Sequence, residues 1–243
     1  MQQSELEALA FACRHSFITN KLEYCGEEGA FREFKEFIEA PVPEKAEHIK
    51  ELLSTFEGFH AYLKLIGKSN NMQPFDFRVI EAYWLGNRLL ENVGTEKVRQ
   101  MILTDLSRPG LLPKSIAEKK ADSLTGEVFP HHSFHVLYMN FMTKKVEPIL
   151  KNLDNCLVGW GKVKELHPEK EKIVIEGVKL THFNNEFQLE GQTKSIGPGL
   201  LKELKKGAFI SVHWNNAVSV LSEEQLSNLR KYTKKNVEYV NSL

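Results

Sequence analysis

Through residue 153 the apolar positions recur every three or four residues, the spacing that lines up one face of a helix. Leu6, Leu9, Ala10, Cys13 and Phe17 mark a helix over 5–18. Phe31, Phe34, Phe37 and Ile38 mark a second, stopped by Ala40-Pro41-Val42-Pro43. Ile49, Leu52, Leu53, Phe56, Phe59, Tyr62, Leu63 and Ile66 predict one long helix over 44–66, broken by Gly67-Lys68-Ser69-Asn70-Asn71. Asp76 is placed to cap a helix reaching Asn92, one face of which carries Glu81, Trp84 and Arg88. A buried face of that kind needs its charges paired, so an ion pair between Glu81 and Arg88 is expected. Helices follow over 95–107 and 114–121, and a last one opens at Pro130 and runs to about Leu153, interrupted at Pro148.

After Asp154-Asn155 the pattern changes to β-formers: Val163, then Ile173, Val174, Ile175, Val178 and Leu180, with Pro168-Glu169-Lys170-Glu171 turning the chain between them. A third run covers 187–196, ahead of Gly197-Pro198-Gly199. A last strand over 209–213 leads through Asn215-Asn216 to a terminal helix capped by Ser222, with Glu224 and Gln225 behind the cap. The expected fold class is α+β. An all-helical domain over 1–153 is followed by a small antiparallel β-barrel with a C-terminal helix over 154–243.

Composition narrows the function classes. Hydrophobic residues make up 42% and charged residues 26% of 243, an ordinary soluble balance. Lys+Arg and Asp+Glu both total 32, so no basic field favours nucleic acid or a membrane surface. No apolar run reaches the roughly 18 residues of a spanning helix, and Met1-Gln2-Gln3-Ser4-Glu5 lacks the basic start of a secretory signal. Three cysteines without a close-spaced pair fit a reducing compartment, and a cytoplasmic protein is expected.

Candidate chemistry gathers in three places. His131, His132 and His135 fall within five residues at a predicted helix start, where they crowd one side and offer neutral imidazoles to a divalent metal or cofactor. The spacing lacks the glutamate of a zinc hydrolase, and exposed or interface histidines are the alternative. Cys25, in the turn Tyr24-Cys25-Gly26, is either an accessible ligand or an inert thiol, whereas Cys13 lies on an apolar stripe and reads as core. Cys156 stands where the pattern changes, with Gly159 and Gly161 leaving its surroundings open to a bulky ligand.

The segment Cys156-Leu157-Val158-Gly159-Trp160-Gly161-Lys162-Val163, with Gly207-Ala208-Phe209-Ile210-Ser211-Val212-His213 and Leu221-Ser222-Glu223-Glu224 after it, resembles the HypC/HupF family of nickel–iron hydrogenase maturation chaperones. That family opens on Cys-Leu-x-x-Pro-Gly-Lys-Val and closes on a Gly-Asp-x-Val-x-Val-His strand and a Leu-Ser/Asp-x-x-Glu helix. Trp160 stands where the family has proline, and 155 residues precede Cys156. The resemblance implies a HypC-like, OB-like barrel, with Cys156 as ligand to an iron fragment bearing cyanide and carbonyl. It places His213 near Cys156 as a second ligand, a hydrogen-bond partner or a barrel-lining side chain. The implied partners are a hydrogenase large subunit or HypD-like maturation proteins. The whole chain also resembles an uncharacterised bacterial family, on Tyr24-Cys25-Gly26, Phe56-Glu57-Gly58, Glu81-Ala82-Tyr83-Trp84-Leu85-Gly86-Asn87, His131-His132-Ser133-Phe134-His135-Val136 and Val212-His213-Trp214.

Three functions follow as expectations. The first is an accessory protein of hydrogenase maturation that carries or docks an iron intermediate. The second is a metal- or cofactor-dependent enzyme using the helical domain through His131, His132, His135, Glu81 and Tyr138. The third is a metal-free interaction module.

Overall fold

The structure is a computed structural model that describes residues 2–140 and 145–243. Helical spacing in the first part produces helices, and local chemistry sets their ends. α1 (Gln2–Lys21) and α2 (Ala30–Glu39) form as the pattern predicts. The single helix predicted over 44–66 is two, α3 (Ala46–Ser54) and α4 (Glu57–Ser69). Thr55 breaks it: its Oγ1 donates to the Leu52 carbonyl at 2.6 Å and accepts from the Glu27 N–H at 2.9 Å, so the side chain competes with the helix ladder.

α5 (Phe77–Trp84) starts on its predicted cap, the Asp76 carboxylate accepting from Arg78 N–H at 2.9 Å. It stops well short of Asn92 because Gly86 turns to φ 84° with the Tyr232 ring against its Cα, where a side chain would collide. The chain resumes as a 3-10 turn over Arg88–Asn92. Glu81 makes no ion pair with Arg88. Its two oxygens accept from Asn87 Nδ2 at 3.0 Å and Gln225 Nε2 at 2.9 Å, amides that satisfy the carboxylate without burying a second charge. α6 (Thr95–Thr104) and α7 (Lys114–Asp122) follow.

The helix predicted from 130 to 153 is replaced by a short turn, α8 (His132–Phe134), running into a π turn over His135–Met139. Part of the prediction, 141–144, lies outside the described residues. α9 (Leu150–Cys156) begins just after Pro148 and carries helix past the expected change of pattern.

The second part is a five-stranded antiparallel sheet, β1 (Gly159–His167), β2 (Lys172–Phe183), β3 (Glu186–Ile196), β4 (Phe209–His213) and β5 (Asn216–Val220), in the order β3-β2-β1-β4-β5. It is not the closed barrel expected. Its two edges meet at one parallel bridge, Gly197 to Asn216, and go no further because β3 has ended at Ile196 where β5 begins at Asn216. The far end of β3 is taken by the terminal helix α10 (Glu223–Asn241), whose Asn241 amide donates to the Phe187 carbonyl at 2.9 Å and accepts its N–H at 2.8 Å. α10 itself starts on a capping box, Ser222 with Gln225. No helix of the described residues is long and apolar enough to cross a membrane.

One buried cluster runs from α1 through α7 to Val158, Leu221, Leu226, Leu229 and Tyr232. Each large apolar side chain left uncovered forfeits roughly 1.5–3 kcal/mol. Fragment 154–243 expressed alone is therefore expected to bind a hydrophobic dye and self-associate, and co-expression with 1–153 to rescue it. A monomeric 154–243 with a native-like β circular dichroism spectrum would show that the sheet and α10 stand without the helices.

Candidate metal centre

β4 ends at His213, and the chain reverses at once through Trp214 (φ 47°) and Asn215 (φ 55°). Two successive left-handed residues make the type I′ turn that suits a tight hairpin. A tryptophan held there costs on the order of 1–3 kcal/mol. Trp214 N–H donates to the Asn155 carbonyl at 2.7 Å, Asn215 Nδ2 donates to Asn155 Oδ1 at 2.8 Å, and the Tyr24 ring packs on the indole at 4.6 Å. Those contacts tie the hairpin to the end of α9, and so fix His213 beside Cys156, the last residue of that helix.

Hydrogen bonds to carbonyls, which only accept, assign the imidazole protons. His213 Nδ1–H donates to the His15 carbonyl at 3.0 Å, leaving a lone pair on Nε2. That Nε2 is buried and has no hydrogen-bond partner among the described residues. His132 opens α8; its Nε2–H donates to the Cys156 carbonyl at 2.9 Å, and its Nδ1 accepts from the Tyr83 hydroxyl at 3.0 Å. A ring N–H held by a backbone carbonyl is the arrangement that orients a metal-ligating histidine.

His132, Cys156 and His213 each offer a donor atom, and these lie within 4.8 Å of one another. All three residues are buried, which sets their protonation. Burial pushes His213 down to about 4, against the hydrogen bond to the His15 carbonyl that works the other way, and drives His132 well below the ordinary imidazole range. Both are neutral at pH 7; the His213 Nε2 lone pair is free, whereas that of His132 Nδ1 is engaged by the Tyr83 hydroxyl, which must turn aside for the ring to ligate an ion. Burial pushes the Cys156 thiol up, the Cys25 thiol adds to this, and the Trp214 side chain opposes it. Cys156 is therefore a thiol in the metal-free protein, and a divalent cation held there would supply the charge that makes it a thiolate.

The three donors share a cavity of about 270 Å³ with Phe56, Phe59 and Leu111. Cys25 and Lys145, both exposed, also line it and mark its mouth. Gly26, at φ 76°, lies against the Phe56 ring with no room for a side chain, which lets the loop carrying Cys25 close onto this cavity. One thiolate with two imidazoles suits borderline and soft transition metals such as zinc, iron, copper or nickel, rather than magnesium or calcium. Three donors, rather than four, leave a position for an exchangeable ligand.

The structure thus brings Cys156 and His213 together with His132. His135 joins them on the cavity wall, with its Nδ1 unpartnered among the described residues and its pKa pushed down to about 4 by burial. His131 does not join. Its Nδ1 accepts from Ser133 N–H at 3.1 Å and pairs with Ser133 Oγ at 2.8 Å, so it caps α8. Glu81 is held by Asn87 and Gln225 away from the cavity. Tyr138 donates to the Lys120 carbonyl and stacks on Phe134 at 5.0 Å, a packing role. Cys13 is fully buried in the core.

Sequence reasoning missed Tyr83, His15 and Trp214 as supports. His15 is fully buried in α1, stacked on Trp84 at 5.1 Å, and its own Nδ1–H donates to the Phe11 carbonyl at 3.0 Å. A histidine two residues from Cys13 in an apolar helix was the available signal.

Fold and site together define an α+β protein with a buried His–Cys–His donor set opening on a cavity. The chain belongs to DUF6390, a family of unknown function, whose model matches residues 5–243. No match to the HypC/HupF family accompanies it. No curated protein and no solved structure matches the chain.

Proposed function

We propose that the protein binds a single transition-metal ion through His132, Cys156 and His213, with the remaining coordination position turned to an exchangeable ligand in the cavity. The observation that carries this reading is the buried Nε2 of His213, a lone pair without a partner beside a thiol and a second imidazole. A buried polar atom left unsatisfied costs about 1–3 kcal/mol. An ion bonded to His213 Nε2 removes that cost.

Elemental analysis of protein purified without oxygen tests the reading. About one equivalent of a transition metal is expected in the wild type, and His213→Ala is expected to lose it while keeping its circular dichroism. A metal-free wild type that also fails to take up zinc, iron, nickel or copper would end the reading.

An iron fragment bearing cyanide and carbonyl, in transit to a nickel–iron hydrogenase large subunit or from a HypD-like protein, is the more specific version of this proposal. What favours it is that Cys156, the position carrying the HypC resemblance, is one of the three donors, and that a site with fewer than four donors releases its cargo by ligand exchange. Infrared bands of cyanide and carbonyl on the anaerobic protein support carriage. Bound metal without those bands leaves a metal-dependent enzyme or a simpler metal carrier.

A further inference from the structure

The cavity beside the donor set is more than a vestibule, because its wall carries polar groups that nothing in the fold satisfies. Trp84 lines it, is 3% exposed, and its indole N–H has no hydrogen-bond partner among the described residues. His135 lines it with an unpartnered Nδ1. Lys145 lines it and makes no ion pair among the described residues. The one carboxylate on the wall, Glu57, is matched by Arg108 at 3.5 Å, so the charge that Lys145 brings is not cancelled from inside the cavity. Against these polar groups stand Phe56, Phe59 and Leu111, which offer an apolar surface.

A volume of about 270 Å³ lies just under the roughly 300–1,000 Å³ of pockets for drug-sized molecules. At about 30 Å³ for each water displaced, it has room for on the order of ten non-hydrogen atoms. Water alone would satisfy the N–H groups but gain nothing from the phenylalanine and leucine faces. A neutral apolar molecule would gain those faces and leave Trp84 and Lys145 without acceptors. An organic anion satisfies both.

We infer that the cavity is a binding site for a small monocarboxylate or similar organic anion, its charged end met by Lys145 and the Trp84 N–H and its apolar part lying against Phe56, Phe59 and Leu111. The inference deepens the metal-centre reading, because the same cavity holds the three metal donors. It does not depend on the ion being present, since none of the groups it uses is a metal donor.

The test uses the full-length protein, with and without bound metal, titrated with benzoate and with its neutral counterpart benzamide. Binding is read from the indole N–H resonance of Trp84 in two-dimensional nuclear magnetic resonance, assigned with Trp84→Phe. Benzoate is expected to move that resonance saturably and benzamide to bind at least about tenfold more weakly, since only the anion makes charge-assisted hydrogen bonds. Lys145 is exposed, so Lys145→Gln leaves the fold intact; it is expected to weaken benzoate about tenfold without changing metal content. Equal binding of benzoate and benzamide, no binding of either, or an unaltered Lys145→Gln overturns the inference. Should the protein hold no metal, Lys145-dependent binding of benzoate still supports the anion site while the metal reading falls. A fully loaded protein that ignores benzoate overturns the site and leaves the metal centre standing.

Discussion

Cys156→Ser is expected to strip the metal from the protein while leaving the fold in place. The thiolate is the one anionic donor among the three, and neither a neutral hydroxyl nor a hard alkoxide replaces it on a borderline or soft ion. Substitutions one layer out from a metal already cost ten- to a hundredfold in affinity, so loss of the thiolate is expected to exceed roughly a hundredfold. The fold survives because the exchange hardly changes volume. Cys156 is 8% exposed, and desolvating a hydroxyl there costs about 1–3 kcal/mol. Cys25→Ser is the matched control. Cys25 is exposed at the cavity mouth and outside the donor set, so that variant is expected to keep its metal. Metal per protein and the thermal midpoint, measured on all three proteins prepared together, check this. A Cys156→Ser protein with the full wild-type metal content would remove Cys156 from the centre.

The pattern of the chain gave away most of its helices, though not the short turns that replace the one expected over 130–153, and four of its five strands, because periods of 3.6 and 2 are written into which side chains are apolar. Ends were harder. The break at Thr55 comes from one hydroxyl bonding backbone on both sides, and no periodicity signals that. β5 does not stand out in the pattern, since Asn215-Asn216 looks like a loop leading to the terminal helix and the strand after the turn is only Asn216–Val220. The expected barrel failed at the same place, where that short strand begins only as β3 ends, and α10 takes the far end of the β3 edge.

The site was legible in pieces. Cys156 and His213 stood out through a motif and His132 through its neighbours, but their meeting depends on the Trp214 turn, the Asn155 carbonyl and the His15 carbonyl. Those are backbone groups, whose positions only the tertiary fold decides. His131 misled for the opposite reason. Its ring nitrogen serves the N-terminus of α8, a local task that serine or aspartate usually performs. Glu81 misled because its partners are amides, one of them from α10, far along the chain.

The metal-free protein is expected to unfold in mild acid, over a window set by its buried histidines. His15, His131, His132 and His213 are each less than 5% exposed. Burial pushes His15 and His131 down to about 3 and His213 to about 4, and takes His132 far down as well. In an unfolded chain each titrates near 6.5. Above that value neither state binds these protons, and the histidines leave stability independent of pH. Below it the unfolded chain takes up protons that the folded chain refuses, so stability rises with pH across the window and is lost as pH falls from about 6.5 towards 4.

His213 alone accounts for about 3 kcal/mol of that loss by pH 4. His15, His131 and His132 act in the same direction, and together they rival the 5–15 kcal/mol that holds a typical domain folded. Carboxylates do not explain such a transition. Glu36 and Glu91, held down by exposed ion pairs, and Asp105, held down by Lys64 and Thr104 against its partial burial, lose their pairing only below the ordinary carboxylate range. Circular dichroism of chelator-treated protein, followed from pH 7.5 to 3.5, is expected to show one cooperative transition with its midpoint between pH 6 and 4. Urea midpoints are expected to fall steadily below pH 6.5. His15→Gln, which keeps a side-chain amide donor but cannot titrate, is expected to reduce the steepness of that fall by about one proton. Stability that stays level from pH 7 to 4 would mean that these imidazoles reach water in the folded protein, and would contradict the buried arrangement on which the metal centre is built.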